Sequence, residues 1–509
     1  MEVRVLSSAP DYKVKGQFGN FRVALFSCPP VVTASFPSDH QLQLRMTASD
    51  SQQARLHALH DRFRRLYGNG PVSVLRAPAR INVLGEHVDY VSYLPTASLV
   101  FGSGEHEMFM LFRASEAGQV RGASMNDAFA PFAFTLNEGP DVNSAGRADR
   151  GWTDWLYQLA VPAPQWGNYV KGSVFFARFK YGGRIRRGFE FVIDSSIPPK
   201  AGASSSSALV VLAGAAIRQV NQVEYEAHTL ARESSQAEWY VGTRGGAMDH
   251  TAICLSKAHH AVHLNYAEDT AKLVPLPGDG YRWVTFFSHE ADKGKEVMLE
   301  YNERAAVARL LIPAVMADSA PPRSHIQTLP DELPASITLH EIERLYPQTF
   351  ADCARAFPAL VRERRERPLK LRERALHHIG EVQRVDAAAK LLRETSGEKI
   401  NPAATETAMR QLGELINESH ASLRDLYEVC TPQVNQLIEI IHADAEVYGA
   451  RLMGGGFGGN VLALTTEENV SKLMERVQQE FYAPQNRDGR REGAVMISTP
   501  GEGLSKFDL

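Results

Sequence analysis

An alternating apolar stretch, Phe189-Glu190-Phe191-Val192-Ile193, runs through Pro198-Pro199 into Gly202-Ala203-Ser204-Ser205-Ser206-Ser207 and then into the small-residue segment 208–217. The alternation predicts a half-buried strand, and the segment after the serines predicts a helix. A strand, a tight glycine turn and a helix that opens on small residues leave several backbone N–H groups unpaired at the helix N-terminus. That makes an anion site, with phosphate as its natural occupant. No GxxxxGK[ST] pattern is present, so the loop is not of the Walker type and no P-loop lysine is expected. A flexible serine-rich linker would lack apolar elements on both sides.

The chain has 509 residues, more than one ordinary core supports, so two domains around a shared cleft are expected. Its residues are 44% hydrophobic and 22% charged, with a formal charge of −4, a globular composition without the basic excess of a nucleic-acid binder. Nucleic acid is therefore not an expected partner. Cys28, Cys254, Cys353 and Cys430 show no CxxC spacing, which argues against a disulfide framework or a thiolate zinc site and suits a reducing cytoplasm. No apolar run approaches the ~20 residues that span a bilayer, and no targeting pattern opens the chain. The expectation is a cytoplasmic protein without a membrane partner.

Residues 1–45 mix short apolar stretches with Pro29, Pro30 and Pro37, and read as a poorly ordered extension ahead of an alternative start at Met46. Leu56, Leu59, Phe63 and Leu66 recur at helical spacing over 52–67 until Gly68-Asn69-Gly70 stops the helix, and a strand is expected at 72–76. Segment 137–150 reads as a surface loop, and 317–334, broken by Pro321-Pro322 and Pro330, as an exposed insertion. The remainder is mostly helical. Thr431 is placed to cap a helix with Pro432 at its first position and Val434, Leu437, Ile438 and Ile441 on one face. Met453-Gly454-Gly455-Gly456-Phe457-Gly458-Gly459 then leads into a strand at 461–464.

Two further segments carry chemistry. Residues 77–90 set Arg80, Glu86, His87 and Asp89 within ten positions of an otherwise apolar stretch, a density suited to gripping several hydroxyls, as on a sugar. One histidine with two carboxylates matches no dedicated zinc spacing. Residues 237–250 place Glu238 and Asp249 on either side of the Gly245-Gly246 turn. One suits a metal and the other a reacting hydroxyl, and alone both read equally well as solvated surface acids.

Taken together, the serine loop, residues 80–89, the turn before Asp249 and the late glycine loop resemble the GHMP small-molecule kinases, and within them the galactokinases, over nearly all of residues 75–464. Trp166-Gly167-Asn168-Tyr169-Val170-Lys171-Gly172, Tyr301-Asn302-Glu303-Arg304, Arg374-Ala375-Leu376-His377 and the stretch 413–429, GELINESHASLRDLYEV, extend the likeness. The resemblance implies an α+β fold of two domains with the active site in the cleft between them. Residues 46–270 would form the N-terminal domain and 271–509 the C-terminal one, whose last strands can return near the first. It also implies transfer of the ATP γ-phosphoryl group, with Mg2+, to the anomeric C1 hydroxyl of galactose.

By the same resemblance Asp249 meets the C1 hydroxyl, and Arg80 pairs with it and faces the phosphate. A guanidinium there would keep the carboxylate ionised. Gly202, Ala203, Ser204, Ser205, Ser206 and Ser207 hold the nucleotide, Ser206 and Glu238 hold the metal, and Glu86, His87, Asp89, Gly246 and Tyr301 contact sugar hydroxyls. This sequence departs from the galactokinase pattern at His250, usually Gln, in a Glu238 to Asp249 spacing one residue short, at 288–294, and at Val91-Ser92-Tyr93. These positions border the sugar pocket, so a kinase for N-acetylgalactosamine or arabinose is the alternative substrate reading. A non-catalytic galactose and ATP sensor is the alternative class, opposed by the presence of Arg80, Ser206 and Asp249.

Overall fold

The Ser49 hydroxyl accepts the Gln52 N–H while the Gln52 side chain accepts the Ser49 N–H, a reciprocal cap that starts the helix Asp50–Tyr67. The computed structural model describes residues 45–46, 49–116, 118–141, 151–159, 162, 165–198, 202–242, 245–277, 280–290, 295–317, 329–395, 402–487, 489 and 493–507. The expected N-terminal extension lies outside them, except for Arg45, which already pairs in the first strand. Leu56, Leu59 and Phe63 are buried as expected. Leu66, in the last turn, is 42% exposed.

In chain order the strands are β1 (Arg45–Met46), β2 (Ser73–Leu84), β3 (Ala97–Ala114), β4 (Gln119–Ser124), β5 (Phe132–Thr135), β6 (Phe189–Ser195), β7 (His260–Asn265), β8 (Thr270–Pro275), β9 (Tyr281–His289), β10 (Val447–Met453), β11 (Gly459–Thr466), β12 (Val495–Ser498), β13 (Pro500–Gly501) and β14 (Ser505–Phe507). A ten-stranded sheet runs β1-β14-β2-β3-β6-β4-β5, with β13 and β7 also on β3 and β8 on β7. The long β3 makes this possible, because residues 108–114 pair with β6 while residues 97–103 pair with β7 and β13. A second, antiparallel sheet runs β10-β11-β9-β12. Sheet membership does not divide at residue 270: β8 straddles that point, and β13 and β14 return to the first sheet.

β6 was expected to be half-buried, yet Phe189, Glu190, Phe191, Val192 and Ile193 are all buried. The first sheet is covered on both faces. Val192 packs with Leu56, Leu59 and Phe63, while Phe189, Phe191 and Ile193 face the core shared with the helices Trp166–Tyr181 and Ser205–Val220. The expected exposed insertion is corrected in part: residues 318–328 lie outside the described residues, but Leu329, Pro330 and Leu333 are buried, the two leucines in a separate helical core with Leu311 and Ile342. Of the expected loop 137–150, Asn137 and Glu138 belong to a short 3-10 turn, and 142–150 are not described. Thr431 caps as expected, accepting the Val434 N–H at 3.3 Å, and its helix buries Val434, Leu437, Ile438 and Ile441 beneath the second sheet. Cys254, Cys353 and Cys430 are free thiols. Among the described residues no helix is long and apolar enough to cross a membrane.

Candidate active site

Pro78 has no N–H to give the ladder, and the β2–β3 register slips between Pro78 and Arg80 and again between Asn82 and Leu84. The slip turns the Arg80 N–H out of the sheet to the Ala203 carbonyl, 3.3 Å away in the serine loop. From this position the Arg80 side chain, only 4% exposed, places Nε 2.7 Å from Asp249 Oδ1. The Ser204 hydroxyl donates to Asp249 Oδ2 at 2.6 Å. Ser204 stands at φ 60°, in the left-handed region, and makes no side-chain cap on the helix Ser205–Val220 that it precedes. Its hydroxyl is spent on Asp249, so the first N–H groups of that helix have no side-chain acceptor there and remain an anion cradle. Burial pushes the Asp249 pKa up, but the Arg80 charge and the hydrogen bonds from Arg80 and Ser204 outweigh it and hold the carboxyl below its ordinary range.

On the next turn the Ser207 hydroxyl donates to Glu238 Oε2 at 2.9 Å. His250 Nε2 is 2.8 Å from the same oxygen but poorly aligned for a hydrogen bond. Glu238 is thus brought to the serine helix by Ser207, while Ser206 beside it is half-buried and Ala203 fully so. Gly202, at φ 79°, lies against the glycine loop so closely that a β-carbon there would stand 3.2 Å from the Met453 carbonyl.

The sugar-directed residues gather around Asp249. Asp89 is pushed up to about 6, first by burial and then by the Asp249 charge. Gly246 packs on it so tightly that a β-carbon would stand 2.4 Å from Asp89 Oδ2. His87, at φ 59°, is forced down to about 3 by burial and then by Arg304 and Arg451, and is therefore a neutral imidazole. The Tyr301 ring lies 5.9 Å from that of His87, and burial followed by the Asp89 charge raises its phenol. Glu86 points the other way. Its Oε2 accepts from Arg451 Nη2 at 3.0 Å and from the Gly454 N–H at 2.9 Å, tying residues 80–89 to the glycine loop. A separate cavity of about 320 Å³, lined by Thr135, Asn137, Arg178 and Arg186 among others, includes none of these residues.

Three residues support the site from behind; Glu381 and Arg451 were not singled out from sequence, and His377 figured there only within Arg374-Ala375-Leu376-His377, without a role. Glu381 accepts the N–H groups of Gly85 and Glu86 at 2.9 and 3.1 Å. His377 reaches the Glu86 carbonyl at 3.2 Å, and Arg451, fully buried, also bonds the Asn82 carbonyl at 2.9 Å. The signal available for Arg451 was a lone charge in an apolar strand just before the glycine loop. Glu381 looks like any acid on a helix surface.

The sequence matches the GHMP kinases N terminal domain at residues 168–257, the GHMP kinases C terminal domain at 400–483 and the galactokinase galactose-binding signature at 61–97. It is 28% identical over 460 residues to a galactokinase of Chloroflexus aggregans, covering 88% of this chain and 97% of that protein. It is also 28% identical over 431 residues to a galactokinase of Clostridium perfringens, covering 84% and 94%. The crystal structure of Lactococcus lactis galactokinase complexed with galactose shares the fold, with a TM-score of 0.66 at 24% identity across 89% of this chain and 99% of that one. Arg80, Glu86, His87 and Asp89 fall within the galactose-binding signature, the serine loop, Glu238 and Asp249 within the N terminal domain, and Arg451 and the glycine loop within the C terminal one. With both domains and the signature carried in order along one chain, this protein belongs to the GHMP kinases, in their galactokinase group.

Proposed function

We propose that the protein is a cytoplasmic galactokinase, which transfers the γ-phosphoryl group of ATP to the C1 hydroxyl of galactose to give galactose 1-phosphate and ADP. The observation that carries this reading is the Asp249 carboxylate, held ionised by Arg80 and Ser204 where the serine loop meets the galactose-binding signature. A C1 hydroxyl set against Asp249 forms its O–P bond as the bond between the γ-phosphorus and the β,γ-bridging oxygen breaks, and its proton passes to Asp249. Arg80 faces the transferring group. Catalysis of this kind rests on in-line placement and on charge stabilisation, which a preset ion pair with a buried guanidinium supplies without reorganising. The free N–H groups at the start of Ser205–Val220 receive phosphate oxygens.

Asp89 has the geometry of a sugar reader: one carboxylate accepts from two neighbouring hydroxyls, and a sugar lacking either leaves a buried acceptor unpaired. For the metal, Ser206, in the first turn of the helix Ser205–Val220, and Glu238, at the end of the helix Ala227–Glu238, supply hard oxygen donors, the donor chemistry that Mg2+ prefers, and the Ser206 hydroxyl makes no hydrogen bond within the described protein. When bound, the ion neutralises phosphate charge. The proposed division runs 46–270 and 271–509 for the body of the chain, with the rest of β8 and β13 and β14 joining the first domain.

The test is turnover by purified protein with ATP, Mg2+ and a panel of galactose, N-acetylgalactosamine and arabinose. Preferred turnover of another sugar reassigns the substrate. Galactose binding without turnover of any sugar makes the protein a sensor.

A further inference from the structure

Residues 178–187, RFKYGGRIRR, set five cations and no acid in ten positions of a chain whose formal charge is −4. Arg178 and Lys180 stand in the last turn of the helix Trp166–Tyr181, where a cation complements the helix dipole. Arg184, Arg186 and Arg187 lie beyond its end and have no such reason to be there. None of the five forms an ion pair among the described residues, whereas Arg218, from the neighbouring helix, is buried against Glu233.

Two of these arginines line one cavity, the separate one of about 320 Å³. Arg178 and Arg186 bound it together with Gly182 and Gly183 of the turn between them and with Thr135 and Asn137 at the end of β5. No acid lines it. Glu138, next to Asn137 in sequence, is taken up by the Thr135 N–H at 2.9 Å and by Lys171 at 3.0 Å. The carbonyls that would repel an anion at a helix C-terminus are also spent: those of Arg178 and Gly182 accept the N–H groups of Gly182 and Ile185, and that of Gly183 accepts from Arg186 Nε at 2.6 Å. What remains is donor capacity. Arg178 Nε is shut off from water without a hydrogen bond, and the Arg186 Nη groups make none among the described residues. A buried donor without an acceptor is costly, and an anion in the cavity supplies one.

The wall is also set in advance. Asn221 Oδ1 accepts the N–H groups of Arg186 and Arg187 at 2.8 and 2.9 Å, and its Nδ2 donates to the Arg187 carbonyl at 2.9 Å. The backbone that carries Arg186 is therefore held before any ligand arrives. Guanidinium forks match phosphate oxygens, and a concave site at the small end of ligand-cavity volumes suits a small molecule better than an acidic polymer.

We infer that this cavity is a second anion site, which takes a phosphate group, free or on a small organic ester, between Arg178 and Arg186. Thr135 and Asn137 add a hydroxyl and an amide donor at its rim. The site includes no residue of the serine loop and does not rest on the galactokinase reading.

The experiment is calorimetric titration of the full-length protein, at constant ionic strength, with inorganic phosphate and separately with glucose 6-phosphate. Expected is saturable binding in wild type, weakened about tenfold or more in Arg178→Gln and in Arg186→Gln. Arg186 is exposed, so its variant carries the test if Arg178→Gln does not fold. Lys180→Gln removes a charge from the same segment outside the cavity, and is expected to change affinity less than about twofold. Equal affinity for the two probes identifies free phosphate as the ligand, and tighter binding of the ester identifies an organic phosphate. Binding that both arginine variants leave unchanged lies elsewhere and overturns the inference. So does an equal loss in Lys180→Gln, or no saturable binding of either probe up to about 10 mM. Affinity is read without turnover, so a protein that binds phosphate here but phosphorylates no galactose keeps this site and loses the proposed function.

Discussion

Arg80 Nε and Asp249 Oδ1 stand 2.7 Å apart across 169 positions of sequence, and the Ser204 hydroxyl closes on the other Asp249 oxygen at 2.6 Å. One carboxylate therefore joins β2, the serine loop and the helix Met248–Leu255. Replacing Asp249 by Asn keeps its shape and removes its charge, so turnover is expected to fall by ~10²-fold or more. Galactose affinity, measured by calorimetry, stays within a few fold. Wild-type turnover in this variant would remove Asp249 from the chemistry.

The two acids of the site titrate in opposite directions. Asp249 is held below its ordinary range, so it stays charged in weak acid, and the stability it contributes is lost only as pH falls through that depressed value. Asp89 is raised to about 6. Between the unfolded value of about 3.9 and that point the native state holds a proton the unfolded chain has released, so stability falls as pH rises through this window. Asp89→Asn is expected to raise the melting temperature of the sugar-free protein above pH 6 and to leave it unchanged at about pH 3, where both states are largely protonated. In wild type the galactose KM should climb as pH drops through the same value, because a protonated Asp89 loses acceptor capacity. A flat KM profile across it would show that Asp89 does not read the sugar in its charged form.

Gly246 tests the sugar side alone. A β-carbon there would stand 2.4 Å from both the Asp89 carbonyl and Oδ2, closer than any real contact, so Gly246→Ala must displace Asp89. Losing one hydrogen bond to a charged group predicts a galactose KM about tenfold higher, with the KM for ATP unmoved. Steady-state kinetics with each substrate varied in turn separates the two.

Metal dependence tests two neighbouring serines. Ser206→Ala removes a proposed ligand, whereas Ser207→Ala frees the Glu238 carboxylate that Ser207 orients. Both are expected to raise the Mg2+ concentration for half-maximal activity, by roughly 10-fold or more. An unchanged Mg2+ response in Ser206→Ala would shift the ligand role elsewhere on the loop.

Arg451 is fully buried between Glu86 and Glu381, bonded to Glu86 Oε2 at 3.0 Å and 3.9 Å from Glu381 Oε2. Arg451→Leu leaves two carboxylates without their shared cation. The expected loss is about 3–5 kcal/mol of stability, read from denaturant unfolding of the purified protein. A double variant that also carries Glu86→Gln should recover part of it.

The sequence alone determined the local units and the chemistry they carry. The alternation of β6, the small residues after Ser207, the cap at Thr431 and the density of polar residues at 80–89 each follow from a few neighbouring positions, and each is present in the structure. The same local reading misjudged the burial of β6 and of Leu329, because burial depends on what covers an element from elsewhere in the chain. Only the tertiary structure decided how the units meet: that the slip after Pro78 turns the Arg80 N–H toward the serine loop, that Ser204 and not a helix cap receives Asp249, that Ser207 brings up Glu238, and that Glu381, His377 and Arg451 hold the signature segment from behind. These partners lie tens to hundreds of positions apart, and a hydrogen bond across that distance leaves no periodic trace in a single sequence. It is fixed by the packing of two sheets and their helices.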